Sequence, residues 1–514
     1  MATLSCALTD IVSRFLLVFL SIEMILEETT IYQRRQKLRA VQNGLDLGSV
    51  YEATLGRIKA QGGGKARLGM GVLMWISHSR RPLQVDELRH ALAIQIGSSD
   101  LSSDNIPAIS TLLGCCQGLV IVDKSASIVR LIHFTLQEYL CAHPDLFDEA
   151  HSTMAETCLT YLNFQRIKGL SAGPSPDLLR VPFLEYSSLY WGIHMRIEPS
   201  DRAERFALQF LDQFDSHISA KFLWNSTSGE LFGRYIPARG FSALHCISYF
   251  GIVEIAEILI KTNRQDVNQR DGADMTPFIW AARYGHEEVV RLLLRKNGIQ
   301  PDQHDAKYGQ TALSWAAQNG YEGIVKMLLE RGDVNPNSLD KAGRAPVVWA
   351  ARNSHEGTVK MLLGREDVDP DIPDTESNST ALLWAAYNGH EGVVKLLLGR
   401  KDVNPNTLTN AGRPPVMWAT RNGHEGIVKL LLAWEDVNPD IQDAEHGATA
   451  LSWAAENGYE GIVKLLLERG DVNPNSLNKA GQTPIMCAIQ NNHEEIVKML
   501  LGREDVDPDI SDTM

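Results

Sequence analysis

The sequence predicts a mainly α-helical protein in which an N-terminal helical and winged-helix segment is followed by an α-solenoid. Two observations carry this prediction. The second half of the chain repeats one pattern, and successive copies start 34 or 35 residues apart, which is typical of stacked helical repeats. The first half has no such period and places helical segments around two short apolar strands. The repeat copies begin at Ser242 (a degenerate copy), Thr276, Thr311, Ala345, Thr380, Pro414, Thr449 and Thr483.

The N-terminal half divides into three predicted regions. Residues 1–45 are expected to be helical, residues 46–164 to form a winged-helix-like domain, and residues 165–239 to form a helical connector. Helices followed by a β-hairpin and further helices favour the winged-helix interpretation. The predicted helices cover 47–58, 68–77, 86–94, 106–113, 135–140 and 152–163, and the predicted strands cover 119–122 and 129–134.

Each repeat copy can be interpreted as two short helices and a polar finger. Thr276 is suited to cap a helix whose first residue is Pro277, because proline has no N–H to leave unpaired there. Gly285 is expected to end this helix, and apolar residues at helical spacing predict a second one. A single helix pair cannot bury its apolar face, so the copies must stack on one another.

These copies resemble ankyrin repeats over residues 240–514, with about eight copies. The family motif T-P-L-H appears as Thr276 to Ile279 (TPFI), and Ser242 to His245 keeps the histidine. The resemblance implies a hairpin finger and two antiparallel helices in each copy. Two flavours of copy alternate, so the unit of duplication is a pair of 69 residues. No clear C-terminal capping repeat follows, and Leu500 and Leu501 are expected to be poorly covered.

The segment from Asp46 to Phe164 resembles the winged-helix region that fungal NACHT-type proteins carry after their nucleotide-binding module. That region is named after a GPI inositol-deacylase. Residues 1–45 look like the tail of a NACHT module, and the module itself is missing from the sequence. The motifs that carry the resemblance are LMWISHSRRPLQVDELRHAL (73–92), GLVIVD (118–123), RLIHFTLQEYL (130–140) and CLTYLNF (158–164).

No motif of nucleotide binding or hydrolysis is complete in this sequence. The nearest approach to a phosphate-binding loop is Gly62 to Lys65, but Lys59 occupies the first glycine position and Ala66 replaces the hydroxyl residue. The esterase pattern G-x-S-x-G does not occur. His133 is placed on an apolar strand beside Phe134 and is interpreted as structural. The sequence therefore predicts no enzyme, no catalytic residue, no cofactor and no small-molecule substrate.

Metal, nucleic-acid and membrane sites are also not predicted. The seven cysteines are scattered without a C-x-x-C pair, and Pro370 interrupts a run of aspartates that resembles a calcium loop. The would-be recognition helix, residues 105–116, contains no Lys or Arg, which disfavours direct DNA binding. The apolar run Phe15 to Ile22 is too short to span a bilayer, and a signal peptide is the alternative interpretation.

Charge and cysteine usage indicate the compartment and the partner. Residues 240–514 hold 26 Lys and Arg against 39 Asp and Glu, a net −13 of the whole chain's −14. An acidic solenoid favours protein partners with a basic surface. The scattered cysteines fit a reducing, intracellular compartment, cytoplasmic or nuclear. The basic cluster Arg34 to Arg39 is either a nuclear signal or a solvated helix face.

A binding surface is the function that the repeats predict. In ankyrin repeats, two residues between the A-A and G-H pairs, with the finger tips, commonly face the partner. The second of the two is mostly Asn here and is interpreted as structural, whereas the first varies. The tryptophans that precede these alanines are expected to stack between repeats. The predicted partner-binding residues are Arg283, Gln318, Arg352, Tyr387, Arg421 and Glu456, with finger residues Tyr308, Arg344 and Arg413.

The sequence thus predicts a non-enzymatic interaction scaffold or regulatory adaptor that acts through the concave face of the ankyrin repeats. The resemblance to fungal ankyrin proteins allows a role as a transcriptional co-regulator. The alternative is a truncated NACHT-type signalling receptor without its NTPase module. A hydrolase is the third hypothesis.

Overall fold

A computed structural model describes residues 29–42, 47–170, 180–232, 239–262 and 265–507. The chain divides into two compact units, Met1–Cys246 and Ile247–Met514. The apolar run Phe15 to Ile22 and the final residues 508–514 lie outside the described residues, so the expectations for them stay predictions. The prediction of a mainly α-helical protein, with a winged-helix region ahead of helical repeats, is confirmed.

The N-terminal unit is helical with one small antiparallel sheet. Its strands are Leu83–Gln84, Val120–Asp123 and Ile128–Leu131, and the last of these pairs with both others. The aromatic core of this unit includes Trp75, whose ring meets that of Phe183 edge-on at 5.5 Å between centroids. The α-helices are Ile31–Gln42, Leu47–Ala60, Gly63–His78, Val85–Ala93, Ile109–Cys115, Phe134–Ala142, Ala150–Leu162, Gln165–Lys168, Leu184–Ile197, Asp201–Leu211 and Ile218–Phe232, with 3-10 turns at Ser103–Asn105, Pro144–Leu146 and Phe214–Ser216.

The strands differ from the prediction in two ways. The strand Leu83–Gln84 was not predicted, because two residues after a proline carry no period that could indicate a strand. The second hairpin strand ends at Leu131, so the placement of His133 on a strand was wrong. His133 instead caps the helix Phe134–Ala142, and its Nδ1 accepts a hydrogen bond from the Thr135 amide at 3.3 Å. Its structural role is that of a helix cap.

Two helix starts also differ from the prediction. The helix expected from residue 68 begins at Gly63, and Gly62 is its N-cap. Gly64 is therefore helical and does not break the chain. The helix expected from residue 106 begins at Ile109, since Pro107 disfavours a helical conformation at Ile106. In each case the apolar residues in the helix centre were predicted and its boundary was not.

The second unit is a series of helix pairs, each with a first and a second helix. Eight pairs lie in the described residues, the first of which begins just before the unit boundary. The pairs are Ala243–Phe250 with Val253–Lys261, Pro277–Arg283 with Glu287–Leu294, Ala312–Asn319 with Glu322–Leu329, Pro346–Arg352 with Glu356–Leu363, Ala381–Asn388 with Glu391–Leu398, Pro415–Arg421 with Glu425–Leu432, Ala450–Asn457 with Glu460–Leu467, and Pro484–Gln490 with Glu494–Leu501.

The ends of these helices follow the sequence closely. The Thr276 hydroxyl accepts a hydrogen bond from the Ile279 amide at 3.2 Å, and Pro277 is the first helical residue, as predicted. Glycines after the first helices adopt the left-handed conformation, as at Gly320 with φ of +72°. The next repeat packs close to this glycine: His355 Nε2 donates to the Gln318 carbonyl at 3.0 Å. Gly320 and the histidine of the next repeat, His355, therefore join neighbouring repeats.

Within the described residues, arginines after five of the second helices tie their repeat to the one before it. Arg400 donates to the carbonyls of Leu363 and Arg365 in the preceding repeat, at 2.9 and 3.1 Å, and also pairs with Asp402. At the carboxyl end of the array, the expectation for the last leucines was half right. Leu500 is buried, whereas Leu501 is 52% exposed. The same arginine arrangement recurs at Arg331, Arg365, Arg469 and Arg503.

Candidate functional site

The first helices of the second unit and the fingers that precede them are joined by a repeated tryptophan–aspartate hydrogen bond. We call the surface formed by these first helices and the fingers that precede them the finger–helix face. In five of the described repeats, the indole Nε1 of the first helix donates to an aspartate of its own finger, which fixes the ring relative to the finger. The pairs are Trp280–Asp271 (2.7 Å), Trp315–Asp305 (3.2 Å), Trp349–Asp340 (2.9 Å), Trp384–Asp374 (2.9 Å) and Trp453–Asp443 (3.1 Å). At Trp418 the finger position is Thr409.

Three arginines predicted to bind a partner lie over the tryptophans of the next repeat. Arg283 lies 4.4 Å from the Trp315 ring centroid, Arg352 lies 4.2 Å from that of Trp384, and Arg421 lies 4.6 Å from that of Trp453. These distances are typical of cation–π contacts. The predicted stacking of tryptophans between repeats is thus carried by the intervening guanidinium groups. These arginines therefore have a packing role within the array.

The two predicted finger arginines reach from one finger to the next. Arg344 pairs with Glu376, and its side chain is 12% exposed. Arg413 pairs with Glu445 at 2.7 Å, and its side chain is 6% exposed. A guanidinium group this buried presents little surface to a partner. Arg413 is therefore suited to position its neighbours Glu445 and Trp418.

The remaining predicted residues are distributed along the array. The Tyr308 ring meets Trp315 edge-on, with 5.8 Å between centroids. Gln318 Oε1 accepts from Gln310 Nε2 at 2.7 Å, and Glu456 is exposed. Tyr387 is 42% exposed, with its ring 5.0 Å from that of Trp418.

The asparagines at the second variable position are structural, as the sequence predicted. Each side-chain amide donates to a backbone carbonyl of its own or the preceding repeat, which fixes the orientation of the side chain within the array. These bonds include Asn353 to Gln318 (2.8 Å), Asn388 to Arg352 (3.2 Å) and Asn422 to Tyr387 (2.8 Å).

A cleft of about 510 Å³ opens on the finger–helix face and brings together two of the predicted residues, Arg352 and Tyr387. We call it the Trp384 cleft. This volume lies within the usual range for small-molecule and side-chain sites, about 300–1,000 Å³. The complete lining is Arg352, Glu376, Ser377, Ser379, Leu383, Trp384, Tyr387, Asn388, Thr409, Asn410, Ala411 and Trp418.

Of the two charged side chains that line the cleft, Glu376 is paired with Arg344 and Arg352 lies over the Trp384 ring. The Ser377 hydroxyl donates to the buried Asp374 carboxylate, with 2.9 Å between Ser377 Oγ and Asp374 Oδ1. Burial would raise the pKa of Asp374, but hydrogen bonds from Ser377 and Trp384 and the nearby Arg344 lower it below its ordinary value. Asp374 is therefore ionised at neutral pH and is hydrogen-bonded to two lining residues, Ser377 and Trp384. The open part of the cleft is formed mainly by rings and amides.

Most of the cleft lining was not predicted from the sequence. Pattern analysis singled out the variable first-helix positions, and it treated the tryptophans as core. Ser377, Leu383 and Asn410 carry no motif of their own. These lining residues could have been found by comparing corresponding positions of the three 69-residue pairs.

The described residues contain neither a metal-binding cluster nor a membrane-spanning helix. In that part of the chain, no three His, Cys, Asp or Glu side chains are grouped so that they could hold a metal ion. Likewise, no helix of the described ranges is long and apolar enough to cross a membrane.

Comparison with known families agrees with this architecture. The family model described as ankyrin repeats matches residues 220–305, 300–374, 347–443 and 416–512, which together cover more than half of the chain. The chain belongs to the ankyrin-repeat proteins. Its N-terminal unit is similar, over residues 56–155, to the family described as the winged helix domain of GPI inositol-deacylase. No curated protein matches this ankyrin-repeat protein.

The ankyrin assignment gives the finger–helix face a general meaning. Ankyrin repeats are non-catalytic modules that typically bind other proteins, and the repeats make up the larger part of this chain. The second unit is thus a protein-interaction module.

Proposed function

We propose that this ankyrin-repeat protein is a non-enzymatic scaffold or regulatory adaptor that binds a partner protein on its finger–helix face. The observation that carries the proposal is the Trp384 cleft, where Arg352 and Tyr387 lie beside Trp384 and Trp418. Arginine, tyrosine and tryptophan are the residues that most often dominate protein interfaces. The residues proposed to contact the partner are Arg352, Tyr387 and Arg421 first, with Arg283, Gln318, Tyr308 and Glu456 extending the contact and Arg344 and Arg413 positioning the fingers.

The charge of the repeats supports a partner with a basic surface. Residues 240–514 carry a net −13, so a basic protein is attracted and a phosphate backbone is repelled. We therefore propose a protein partner and no direct contact with nucleic acid. Intracellular location and a role as a transcriptional co-regulator in a fungus stay predictions from the sequence.

Affinity purification of the tagged chain, followed by mass spectrometry, tests the proposal. The comparison variant carries Arg352→Glu, Tyr387→Ala and Arg421→Glu, which reverses two charges and removes the most exposed ring of the face. We expect the parent to capture a specific set of proteins, and the variant to lose it while circular dichroism shows an unchanged helical content.

A matched control keeps the same charge change on other helices. Lys360 and Lys429 are exposed on second helices, so Lys360→Glu with Lys429→Glu also reverses two charges, but away from the finger–helix face. This control should capture the same proteins as the parent. Equal loss in both variants would mean that net charge, and not the face, controls capture, and no loss in either would remove the proposed site.

A further inference from the structure

The three 69-residue pairs place different side chains at one finger position. The position is Tyr308 in the first pair, Ser377 in the second and His446 in the third. The tryptophan of the following first helix is constant at Trp315, Trp384 and Trp453. The Trp384 cleft therefore has two sister sites in the same chain, which show how the same backbone is filled when a larger side chain is present.

Both sister sites hold an aromatic ring against the tryptophan. The Tyr308 ring meets Trp315 edge-on, with centroids 5.8 Å apart and planes at 76°. The His446 ring meets Trp453 in the same way, at 5.3 Å and 80°. Edge-to-face pairs at these separations are favourable beyond the burial of their area. At Trp384 the corresponding residue is Ser377, which provides no ring.

The backbone at the three positions is the same. The amide of Tyr308 donates to Asp305 Oδ1 at 2.7 Å, that of Ser377 to Asp374 Oδ1 at 2.6 Å, and that of His446 to Asp443 Oδ1 at 2.6 Å. The cleft is therefore not produced by a different loop. It is the space that an aromatic side chain occupies in the sister sites.

Other substitutions make the open site more apolar and remove a lysine. Leu383 replaces Ser314 and Ser452 of the sister sites, and Tyr387 replaces Gln318 and Glu456. The Tyr387 ring stands nearly perpendicular to both Trp384 and Trp418, at 82° and 78°. Asn410 replaces Lys341 and Lys479, each of which spans to the backbone carbonyl of the adjacent finger. The site in the second pair thus lacks the ring and the single lysine that each sister site has, and its walls are more apolar.

We propose that the Trp384 cleft binds an aromatic side chain of the partner protein, seated against Trp384 where Tyr308 and His446 are seated against Trp315 and Trp453. This inference rests on the proposed function and adds the chemistry of the residue that the partner inserts. The partner segment is then one in which an aromatic residue is flanked by basic residues, which suit the acidic repeats.

A cationic side chain is a poorer occupant than a neutral ring. Arg352 already lies over the Trp384 ring at 4.2 Å, so a second cation there would face a like charge. An added ring does not compete with this arginine. In both sister sites the arginine and the second ring contact the same indole, as Arg283 and Tyr308 do at Trp315.

The first test uses small probes on the full-length chain. N-acetyl-tyrosinamide, N-acetyl-phenylalaninamide and N-acetyl-leucinamide are added at millimolar concentration, and binding is followed by saturation-transfer NMR. We expect saturation of the two aromatic amides and little of the leucine amide. Ser377→Tyr supplies the missing ring from the chain itself and should abolish the signal. Ser377→Ala keeps the cleft open and should retain it, while Tyr308→Ser opens a second cleft and should increase it.

The outcomes of this test are distinct. Equal saturation by the leucine amide, or an unchanged signal in Ser377→Tyr, would show that the cleft has no preference for an aromatic occupant. Absence of any signal from the aromatic amides would equally overturn the inference. Ser377→Tyr is expected to fold, because Tyr308 and His446 occupy the same backbone position in the sister sites.

A second test separates this inference from the proposed function. A random peptide library is selected on the parent chain, with counter-selection on the variant Arg352→Glu, Tyr387→Ala, Arg421→Glu. We expect the enriched peptides to share one aromatic position, and Ser377→Tyr to weaken their binding by about tenfold or more, the factor that burial of one aromatic side chain supplies.

Peptides that lack an aromatic residue and bind Ser377→Tyr as well as the parent would overturn the aromatic occupant and leave the binding face intact. Failure to enrich any peptide on the parent, beside positive amide binding, would instead count against the proposed function.

Discussion

At the scale of single residues, aspartates at the same finger position of different repeats differ in pKa. Asp271 is buried and accepts three hydrogen bonds, from Trp280 Nε1 and from the amides of Ala273 and Met275. Burial nevertheless raises the pKa of Asp271 to about 7. Asp374 makes similar bonds, but Arg344 lies 3.9 Å away and its pKa is lowered. Burial outweighs the hydrogen bonds at Asp271, whereas hydrogen bonds from Ser377 and Trp384, with a smaller contribution from Arg344, outweigh burial at Asp374.

This difference predicts opposite pH dependences for two matched variants. Folded Asp271 holds its proton more tightly than the unfolded chain does, so its contribution to the free energy of unfolding falls as the pH rises from about 4 to about 7. Asp271→Asn should remove that fall, and the stability lost by the variant should be greatest near pH 4 and smallest above pH 7. Urea unfolding at a series of pH values, followed by tryptophan fluorescence, measures it.

The control is Asp374→Asn at the same position of another repeat. Because the pKa of Asp374 is lowered in the folded state, its contribution is present above the unfolded pKa and is lost on acidification. The stability lost by Asp374→Asn should therefore be greatest at neutral pH. Parallel pH profiles for the two variants would contradict this account of the finger charges.

At the scale of elements, the turn between the two helices of each repeat depends on a left-handed residue. It is glycine in most copies, but Ser354 holds the position in one, with φ of +64°. A Cβ atom at Gly320 would lie 2.5 Å from Nδ1 of His355, the ring that hydrogen-bonds across to the preceding repeat. The turn therefore controls both the backbone and the approach of the next repeat.

Reciprocal substitutions at this turn should have opposite effects. Gly320→Ser should lower the free energy of unfolding by about 1–2 kcal/mol through left-handed strain, with a further loss from displacement of His355. Ser354→Gly should raise it by about 0.5 kcal/mol, since relief of strain is partly offset by the larger entropy of glycine in the unfolded chain. Urea midpoints of the two variants measure both changes. Destabilisation by Ser354→Gly would mean that the serine has a role that its backbone conformation does not reveal.

The elements also show what sequence patterns could and could not predict. Helix centres such as Glu287–Leu294 were predicted because their apolar period is set by burial, which the sequence records directly. The strand Leu83–Gln84 was missed because its two residues are ordered by pairing with the distant Ile128–Leu131. The Trp384 cleft was missed for a different reason. It depends on the absence of a ring at Ser377, and an absence becomes visible only when that residue is compared with Tyr308 and His446.

At the scale of the whole molecule, cooperation among the repeats depends on contacts that cross from one copy to the next. The arginines after the second helices are suited to this role, because each bonds to carbonyls of the preceding repeat. Their partner aspartates, such as Asp402, are half-exposed, and surface ion pairs contribute little by themselves. The position is Lys296 in one copy and Trp434 in another, so two junctions of the array have no such arginine.

Removal of one arginine should therefore weaken the array more than removal of a neighbouring charge. Arg400→Ala loses three bonds to carbonyls of the preceding repeat, those of Leu363, Arg365 and Val368. We expect a loss of about 1.5 kcal/mol, the lower end for bonds from a charged donor, and a smaller dependence of stability on urea because the array unfolds in two blocks. Lys401→Ala removes an exposed charge one residue away and should leave both quantities unchanged. Equal effects of the two variants would show that the repeats are coupled by their apolar interfaces alone.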